Sequence, residues 1–533
     1  MRWILPAVAF ICLCSVVPPA ALAQFTNVRV SDPGYVDYPP EEVVISINPA
    51  DPLNIAAGAN VTYYYYSTDG GYTWTQGNLT STYGVWGDPC VTFDALGNLY
   101  FAHLSWPNQT AGDWLDRIVV QKSTNGGMTW DNGVGVGYNP PKDQDKEWIA
   151  ADKTGSVYHN NLYMAWTEFD DLETPSSGDS TRIVFSRSTD QGATWSAPIQ
   201  VGERQGNCYD GNLTVEGAVP AVGPNGEIYM AWAGYNKIYF DKSLDGGVTW
   251  GTDVVIAQQV AGWNFSVPGI YRCNGFPITL CDAGNSAYRG HIYVVYSDQP
   301  NGPGDTDIFF VKSTDGGTNW SAPQEIIQEA QPRHQFFPWA ALDPTTGGLY
   351  VDFYDRRYVG GDTTEVFLAM SYDGGGTWDD LRVSETPFLP WDTVFFGDYI
   401  GIAALDQKVY PIWTRMDDGE LSVWVAPISL PIVGVEGASA PPAVVLEQNR
   451  PNPFNPSTEI AFELQRHAEV NLAIYDVEGR MVRRLLQRSM TAGPKTVTWD
   501  GTDGSGNRVS SGVYFYTLRA AGDVLTRKMT LLK

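Results

Sequence analysis

One octapeptide, Ser67-Thr-Asp-Gly-Gly-Tyr-Thr-Trp74, returns five more times and restricts this chain to a repeat architecture. The copies are Ser123–Trp130, Ser188–Trp195, Ser243–Trp250, Ser313–Trp320 and Ser371–Trp378, with starts 56, 65, 55, 70 and 58 residues apart. Each has the chemistry of a hairpin turn. The third residue (Asp69, Asn125, Asp190, Asp245, Asp315, Asp373) can bond the backbone ahead of it, and the glycines that follow accept positive φ at little cost. The closing tryptophan, if buried, hides ~150–250 Å². That corresponds to at most about 4–6 kcal/mol. Six such anchors explain the motif as structure, without chemistry.

The repeats resemble the Asp boxes (S-x-D-x-G-x-T-W) of sialidase-like β-propellers. The segments between them support that reading. Two β-like runs precede each box, as in Cys90–Asp94 with Leu99–His103 or Ile149–Asp152 with Leu162–Trp166; a third leads into the box and a fourth follows it. Four antiparallel strands per unit make a propeller blade. The last unit has three strands (Tyr399–Leu405, Val409–Thr414, Leu421–Ile428) and no box. Thr26-Asn-Val-Arg-Val-Ser31 reads like the post-box strand Asp380-Leu-Arg-Val-Ser384, so residues 25–31 are expected to complete the seventh blade and close the ring. The expected fold class is all-β: an Asp-box β-propeller of seven blades, with six as the runner-up, followed by a small Ig-like β-sandwich.

Met1-Arg2, the apolar run Ile4–Val17 and Ala21-Leu22-Ala23 read as a signal peptide over residues 1–23. The propeller is expected over 24–432, a Gly/Ala/Pro linker over 433–443 and a separate domain over 444–533. In that domain Asn452-Pro-Phe-Asn-Pro-Ser-Thr458, Ile474-Tyr-Asp-Val-Glu-Gly-Arg480, Trp499-Asp-Gly501, Ser511-Gly-Val-Tyr-Phe-Tyr516 and Lys528-Met-Thr-Leu-Leu-Lys533 resemble, in order, the C-terminal sorting domain of type IX secretion cargo. They are also similar to the Ig-like module of flagellar hook-capping proteins. The resemblance implies the type IX machinery as a partner and a secreted or cell-surface location on a bacterium. Asp500 and Asp503 among glycines read as a hairpin turn before they read as a calcium loop.

Export bears on the cysteines. Four remain after the leader, and an even count in an oxidising compartment favours disulfides. Proximity suggests Cys273 with Cys281, leaving Cys90 with Cys208. No zinc-binding spacing occurs, and no metal ligand set is expected. The net charge is −27; residues 443–533 hold 12 basic and 9 acidic side chains, so the rest carries −30. Such a surface repels nucleic acid and anionic membranes and suits solubility or calcium. No cofactor is required, with calcium the one option the charge leaves open.

In a propeller the innermost strands begin at one mouth of the central channel, and the Asp-box hairpins lie on the opposite rim. The candidate working residues are therefore the acids just before each first strand: Glu41, Glu42, Asp88, Asp145, Glu147, Glu216 and Asp398. Converging carboxylates shift one another's pKa values, as acid/base chemistry needs. Capping of strand ends is the plainer use of each. Asp88, Glu147 and Asp398 are the catalytic candidates if turnover occurs. Long loops on the same face bring Trp106, Trp114, Glu168, Asp170, Asp171 and the group Asp355-Arg356-Arg357. With Trp148 at the channel, Trp106, Asp355, Arg356 and Arg357 are the substrate-binding candidates: rings to stack on a sugar and a guanidinium pair to hold an anion. The group may equally be read as a loop brace.

Asp145-Lys-Glu-Trp-Ile-Ala-Ala-Asp152, Phe337-Pro-Trp-Ala-Ala-Leu-Asp343, Phe353-Tyr-Asp-Arg-Arg357 and Gly397-Asp-Tyr-Ile-Gly401 resemble a broad group of exported sialidase-like, BNR-repeat proteins over about residues 25–432. Exo-sialidases of that group carry an R-I-P motif before the first box, part of an arginine triad. No R-I-P occurs here, and no Arg or Lys lies between Ser31 and Asp116, which counts against sialidase activity itself. Propellers of xyloglucanases and related glycosidases use acidic pairs without that clamp. The five histidines are scattered, and no G-x-S-x-G elbow, phosphate loop or dinucleotide fingerprint appears. The expected function is binding of extracellular glycan or glycoprotein without turnover. The alternatives are a glycoside hydrolase using the mouth carboxylates, and an adhesin or protein-interaction scaffold.

Overall fold

The computed structural model describes residues 25–34, 38–110, 112, 114–328, 332–430, 444–446, 448–464, 468–476, 480–491, 493–520 and 523–532. The expected leader (1–23) and linker (433–443) lie outside the described residues. Every regular element among the described residues is a β-strand. No helix among them is long and apolar enough to cross a membrane. The chain divides into two compact units, Met1–Val433 and Gly434–Lys533.

The first unit is a ring of seven antiparallel sheets. Their inner strands are Val44–Ile47, Cys90–Phe93, Asp143–Ala151, Glu216–Val222, Ile278–Cys281, Gln335–Leu342 and Gly401–Leu405, and they belong to blades one to seven in that order. In blades one to six the strands follow outward in chain order, as in Asp143–Ala151, Leu162–Phe169, Thr181–Ser188 and Ile199–Gln200. Blade seven is closed by the other end of the chain. Val28–Arg29 pairs with Glu420–Val425, with Val28 opposite Val425 and Arg29 opposite Trp424. The Val30 amide adds a 2.8 Å bond to the Val423 carbonyl, and the Val423 amide bonds the Ser31 hydroxyl at 3.0 Å. The ring therefore leaves no open inner edge at its seam, and the six-blade alternative falls.

Each Asp box joins the third strand of its blade to the fourth. The box serine accepts the amide of the second glycine position at 2.8–2.9 Å in all six copies, for example Gly71 to Ser67 and Gly375 to Ser371. The box carboxylate then takes the amide and hydroxyl of the following threonine, as Asp245 does from Thr249 at 2.9 and 2.6 Å. In blade five the backbone and side-chain N–H of Asn319 hold Asp315 down to about 2. The box tryptophans are half-buried rather than buried, which corrects the expectation of six interior anchors. They instead lie against the preceding blade. Trp250 sits edge-on to Phe185 (4.9 Å, 70°), Trp320 to Phe240 (4.8 Å, 68°) and Trp378 to Phe310 (5.4 Å, 71°).

A second tie runs beside each of these rings. The cation just before the box serine reaches across to the next blade's box and donates to the carbonyl of that box's fourth residue. Lys122 reaches Gln191 (3.2 Å), Arg187 reaches Gly246 (3.0 Å), Lys242 reaches Gly316 (2.6 Å) and Lys312 reaches Gly374 (2.8 Å). Blade one has Tyr66 at that position, and the amide of Asn54 takes over the bond, meeting Gly126 at 3.0 Å. The boxes are thus rivets between blades, and they lie with the corners linking first and second strands, away from the mouth.

None of the four cysteines is paired, so the expected Cys273–Cys281 and Cys90–Cys208 disulfides are not formed. Cys273 lies in a short ribbon (Asn264–Phe265 with Cys273–Asn274) ahead of blade five, whereas Cys281 ends that blade's inner strand at the far side of the channel. Cys90 accepts the Ile149 amide at 3.3 Å inside the wall between blades two and three, and Cys208 is buried in the connection leading to blade four. Nearness in sequence did not translate into nearness in the ring.

The second unit is a two-sheet sandwich. Val444–Leu446, Thr458–Leu464 and Gly493–Trp499 form one sheet; Met481–Met490, Ala468–Tyr475, Gly512–Ala520 and Asp523–Leu531 form the other. Trp499, Ile460, Ile474 and Tyr516, all buried, fill the space between them. Asp500 accepts from the Thr502 hydroxyl and Arg483, and Asp503 caps the turn to Asn507, so both serve the hairpin.

Candidate functional site

The inner strands do not begin smoothly. Bulges interrupt pairing between Asp145 and Trp148, Glu216 and Val219, and Phe336 and Trp339. Two residues ahead of the point where pairing starts or resumes, five blades place a left-handed residue. These are Glu42 (φ 54°), Asp88 (49°), Lys146 (53°), Gly217 (76°) and Phe337 (48°). For the four that are not glycine this conformation costs roughly 1–3 kcal/mol each. Strain repeated at one level of the ring marks that level as the place where side chains are aimed for a purpose.

Lys146 shows what is aimed at. Its ammonium meets Asp398 at 2.6 Å, Asp88 at 3.2 Å and Glu42 at 3.7 Å, joining blades three, seven, two and one. Arg272, from the excursion before blade five, donates through Nε to the other oxygen of Asp398 at 2.8 Å and pairs with Asp398 again through Nη2. Its Nη1 lies 3.9 Å from Asp210. Asn274 holds the Asp398 carbonyl at 2.9 Å, and Asn60 bridges the Glu42 carboxylate (2.5 Å) and the Asp88 amide (2.7 Å). Asp398 is thus clamped by two cations arriving from opposite sides of the mouth.

The other acids are less well compensated: Glu42 shares Lys146 at 3.7 Å, and Glu41, Asp145, Glu147 and Glu216 form no ion pair among the described residues. Burial, with Asp88 and Asp398 adding repulsion, pushes Glu41 up to about 8. Burial and the neighbouring Asp88 carry Asp145 to about 7. Burial likewise raises Glu42, Glu147 and Glu216 well above the usual carboxylate range. Asp398 goes the other way: burial opposes it, but Lys146 and Arg272 hold it well below that range. Asp398 is thus held ionised, whereas Glu41, Glu42, Glu147 and Glu216 around it favour their protonated forms. Neither oxygen of Glu147 has a hydrogen-bond partner among the described residues, and both are shut off from solvent.

Two spaces meet at Asp398, Lys146, Asn274 and Phe276. One is polar and includes Asp145, Asp210, Glu216 and Arg272. The other is largely apolar, floored by Trp148, Trp339 and Tyr399, with Asp88 and Glu147 in its lining. Trp148 lies over Trp339 with ring centres 4.3 Å apart, and Tyr399 meets it edge-on at 5.6 Å. These rings partition the channel. Above them the surface changes character: Tyr209 and Tyr271 are about 60 % exposed, the Arg272 side chain is 46 % exposed, and Phe395 stands between Tyr271 (6.0 Å) and the guanidinium (4.9 Å).

The structure thus gathers Asp88, Glu147 and Asp398 at the mouth with Trp148 beneath them, and places the other candidates elsewhere. Asp355-Arg356-Arg357 is buried and serves as a brace, which corrects its reading as a substrate clamp. Arg357 binds Asp355 (2.6 Å) and Asp380 (2.5 Å). Arg356, 1 % exposed, donates to the Pro268 carbonyl (2.6 Å) and Thr364 (3.1 Å). Guanidiniums so far out of water need protein acceptors. Glu168 and Asp170 are likewise tied to Arg182 at 2.6 and 2.7 Å and to Lys142 at 3.0 and 3.1 Å. Trp106 packs on Trp86 over the outer part of blades one and two, away from the channel floor. Sequence reasoning gave no role to Lys146, Arg272, Asp210 or Tyr271. The one available signal was the Lys of Asp145-Lys-Glu147, a cation amid mouth acids. No group of three or more His, Cys, Asp or Glu arranged to hold a metal ion occurs among the described residues.

Residues 65–76 match the BNR/Asp-box repeat, and residues 449–523 match the FlgD Ig-like domain. No curated protein matches the chain. Among solved structures the chain is similar to a protein of unknown function from Dyadobacter fermentans (12 % identity, 76 % of this chain and 98 % of that one, TM-score 0.41). It is also similar to α-L-arabinanase from Penicillium chrysogenum (16 %, 77 % and 99 %, TM-score 0.41) and to NanB sialidase from Streptococcus pneumoniae (10 %, 70 % and 83 %, TM-score 0.44).

Proposed function

We propose that this chain is an exported propeller that binds extracellular carbohydrate at the rim of its channel mouth and does not turn it over. One observation carries this reading. The groups most open to solvent at the mouth are Tyr209, Tyr271 and Arg272, with Phe395 and Asp210 half-buried beside them, whereas Glu147, Glu216 and Asp398 are buried and Asp398 is held by Arg272 and Lys146. Exposed rings offer stacking faces to a sugar, and an arginine beside a carboxylate offers donors and acceptors to its hydroxyls. A general acid must touch the leaving oxygen, and both carboxyl oxygens of Glu147 are shut off from solvent.

Binding is tested on an array of neutral and acidic glycans with the wild-type protein and Tyr271→Ala, an exposed substitution that leaves the ion pairs intact. The expected result is retention of specific glycans by the wild type and about a tenfold loss in the variant, the scale of one stacked ring. Equal binding by both proteins rejects the rim as the site. Binding only to a protein partner, unchanged after its deglycosylation, favours the adhesin alternative.

The reading includes a route out of the cell. The second unit is proposed to act as a type IX sorting domain, supported by its run of motifs and its match to an Ig-like family. Truncation before residue 444, in a bacterium that carries that machinery, is expected to trap the propeller in the periplasm; undiminished surface display of the truncated chain would reject the assignment.

A further inference from the structure

A groove of about 510 Å³ crosses blade one on its mouth-facing side, lined by residues 32–34 and Tyr38 after the ring-closing strand, the turn at residues 61–63, the outer strand Thr75–Asn78 and the start of blade two. It shares no lining residue with the two spaces at the channel mouth. Its aromatic wall is held in place by the protein. Tyr38, 44 % exposed, stands edge-on to Trp86 at 5.8 Å and 83°. Trp86 is braced from behind by Trp106 at 4.3 Å and 76°, whose indole N–H is fixed on the Thr110 carbonyl at 2.9 Å. The Tyr63 hydroxyl donates to the Tyr38 carbonyl at 2.9 Å and fixes the backbone that carries the exposed ring. A wall ordered before a ligand arrives loses little entropy when it binds.

The opposite wall is polar and has donors to spare. The Gln76 side-chain oxygen accepts the Asp32 amide at 2.9 Å, which turns its NH2 toward other partners. The Asn78 oxygen accepts the Thr62 hydroxyl at 3.2 Å and leaves its NH2 likewise. The Asp32 carboxylate and the exposed Gln109 amide complete the set. Sugar hydroxyls both donate and accept, so amide NH2 groups facing a carboxylate across an aromatic wall suit them from both sides.

Charge narrows the ligand. No Arg or Lys occurs between Ser31 and Asp116, and among the described residues no cation lines the groove. A uronic or sialic acid carboxylate, a sulfate or a phosphate would meet the Asp32 carboxylate, and the guanidinium beside it, Arg29, is engaged on the Ser31 and Asp32 carbonyls at 3.1 and 3.3 Å. We propose that this groove is a second carbohydrate site, one that takes uncharged sugar units of a polysaccharide, with rings stacked on Tyr38 and Trp86 and hydroxyls held by Gln76, Asn78 and Asp32. It rests on the proposed carbohydrate function only for its class of ligand; the residues are different.

The test is calorimetric titration of the full chain with cellohexaose, xylohexaose and mannohexaose, and with a galacturonate hexamer as the anionic probe. At least one neutral hexamer is expected to bind. Tyr38→Ala should weaken that binding about tenfold, the scale of a lost stacking residue. Gln76→Ala with Asn78→Ala should weaken it without touching the aromatic wall. Absence of neutral binding, a preference for the galacturonate hexamer, or binding that survives both groove variants would overturn the proposal. Loss with Tyr271→Ala but not Tyr38→Ala would reject the groove and keep the mouth rim; the reverse pattern would do the opposite.

Discussion

Replacing Lys146 by methionine lowers the stability of the propeller by about 3–5 kcal/mol, the cost of removing one partner from a buried ion pair. Methionine keeps most of the volume of the stem, so the loss is electrostatic. Asp398 keeps Arg272, but Asp88 loses its 3.2 Å partner and Glu42 its 3.7 Å partner, all within the closed mouth. Lys146 also bridges four blades, so the damage falls on the ring as a whole. The check is thermal melting of the full chain followed by tryptophan fluorescence, with Asp398→Asn and the double variant completing a cycle. A coupling energy of about 1–3 kcal/mol between the two positions is expected for groups in direct contact. A loss below about 1 kcal/mol, the scale of an exposed pair, would mean that the mouth is wetter than its burial indicates.

Glu41→Gln has the second largest effect, and that effect depends on pH. Burial lifts Glu41 from 4.5 to about 8 in the folded chain. A carboxyl with a raised folded pKa binds more protons folded than unfolded between those two values, so stability is full below the unfolded pKa and falls as pH rises through the folded one. The window is therefore about pH 4.5 to 8. Glutamine keeps the neutral shape and cannot ionise. At pH 4.5 the variant should melt with the wild type. At pH 8 it should melt higher, by an amount on the order of several kcal/mol at most. The Asp boxes act in the opposite sense at a different pH: Asp315, held at about 2, contributes above the unfolded pKa and loses that contribution as pH falls toward 2. Melting curves of both proteins at half-unit steps separate the two regimes. A variant less stable than wild type at pH 8 would show that Glu41 is ionised and partnered.

The parts of this molecule legible from sequence were those encoded locally. A box such as Ser243–Trp250 builds its own turn from Ser243, Asp245 and Thr249, so its pattern survives in any context. The ring closure was legible because Val28-Arg-Val30 repeats the alternation of a fourth strand it replaces. That the mouth acids gather follows from topology, since seven inner strands begin on one circle. What balances them was not legible. Lys146 meets Asp398 across 252 residues and Arg272 meets it across 126, and no local pattern carries such a pairing. Arg356 and Arg357 looked like a clamp because adjacent guanidiniums suit anions. Their partners, Pro268, Thr364, Asp355 and Asp380, are set by how the loop folds back. The cysteines failed for the same reason: seven residues lie between Cys273 and Cys281, and the inner strand Ile278–Cys281 carries the second of them away along the channel wall.

We propose that the mouth is a binding rim laid over buried acids. Incubating the protein with each oligosaccharide it binds, and following the appearance of new reducing ends, tests that claim most directly. No release above the level of a Glu147→Gln variant is predicted, over hours and from pH 4.5 to 8. Release by the wild type that the Glu147→Gln or Asp398→Asn variant abolishes would contradict it, and would make the sealed acids a catalytic pair that opens to substrate.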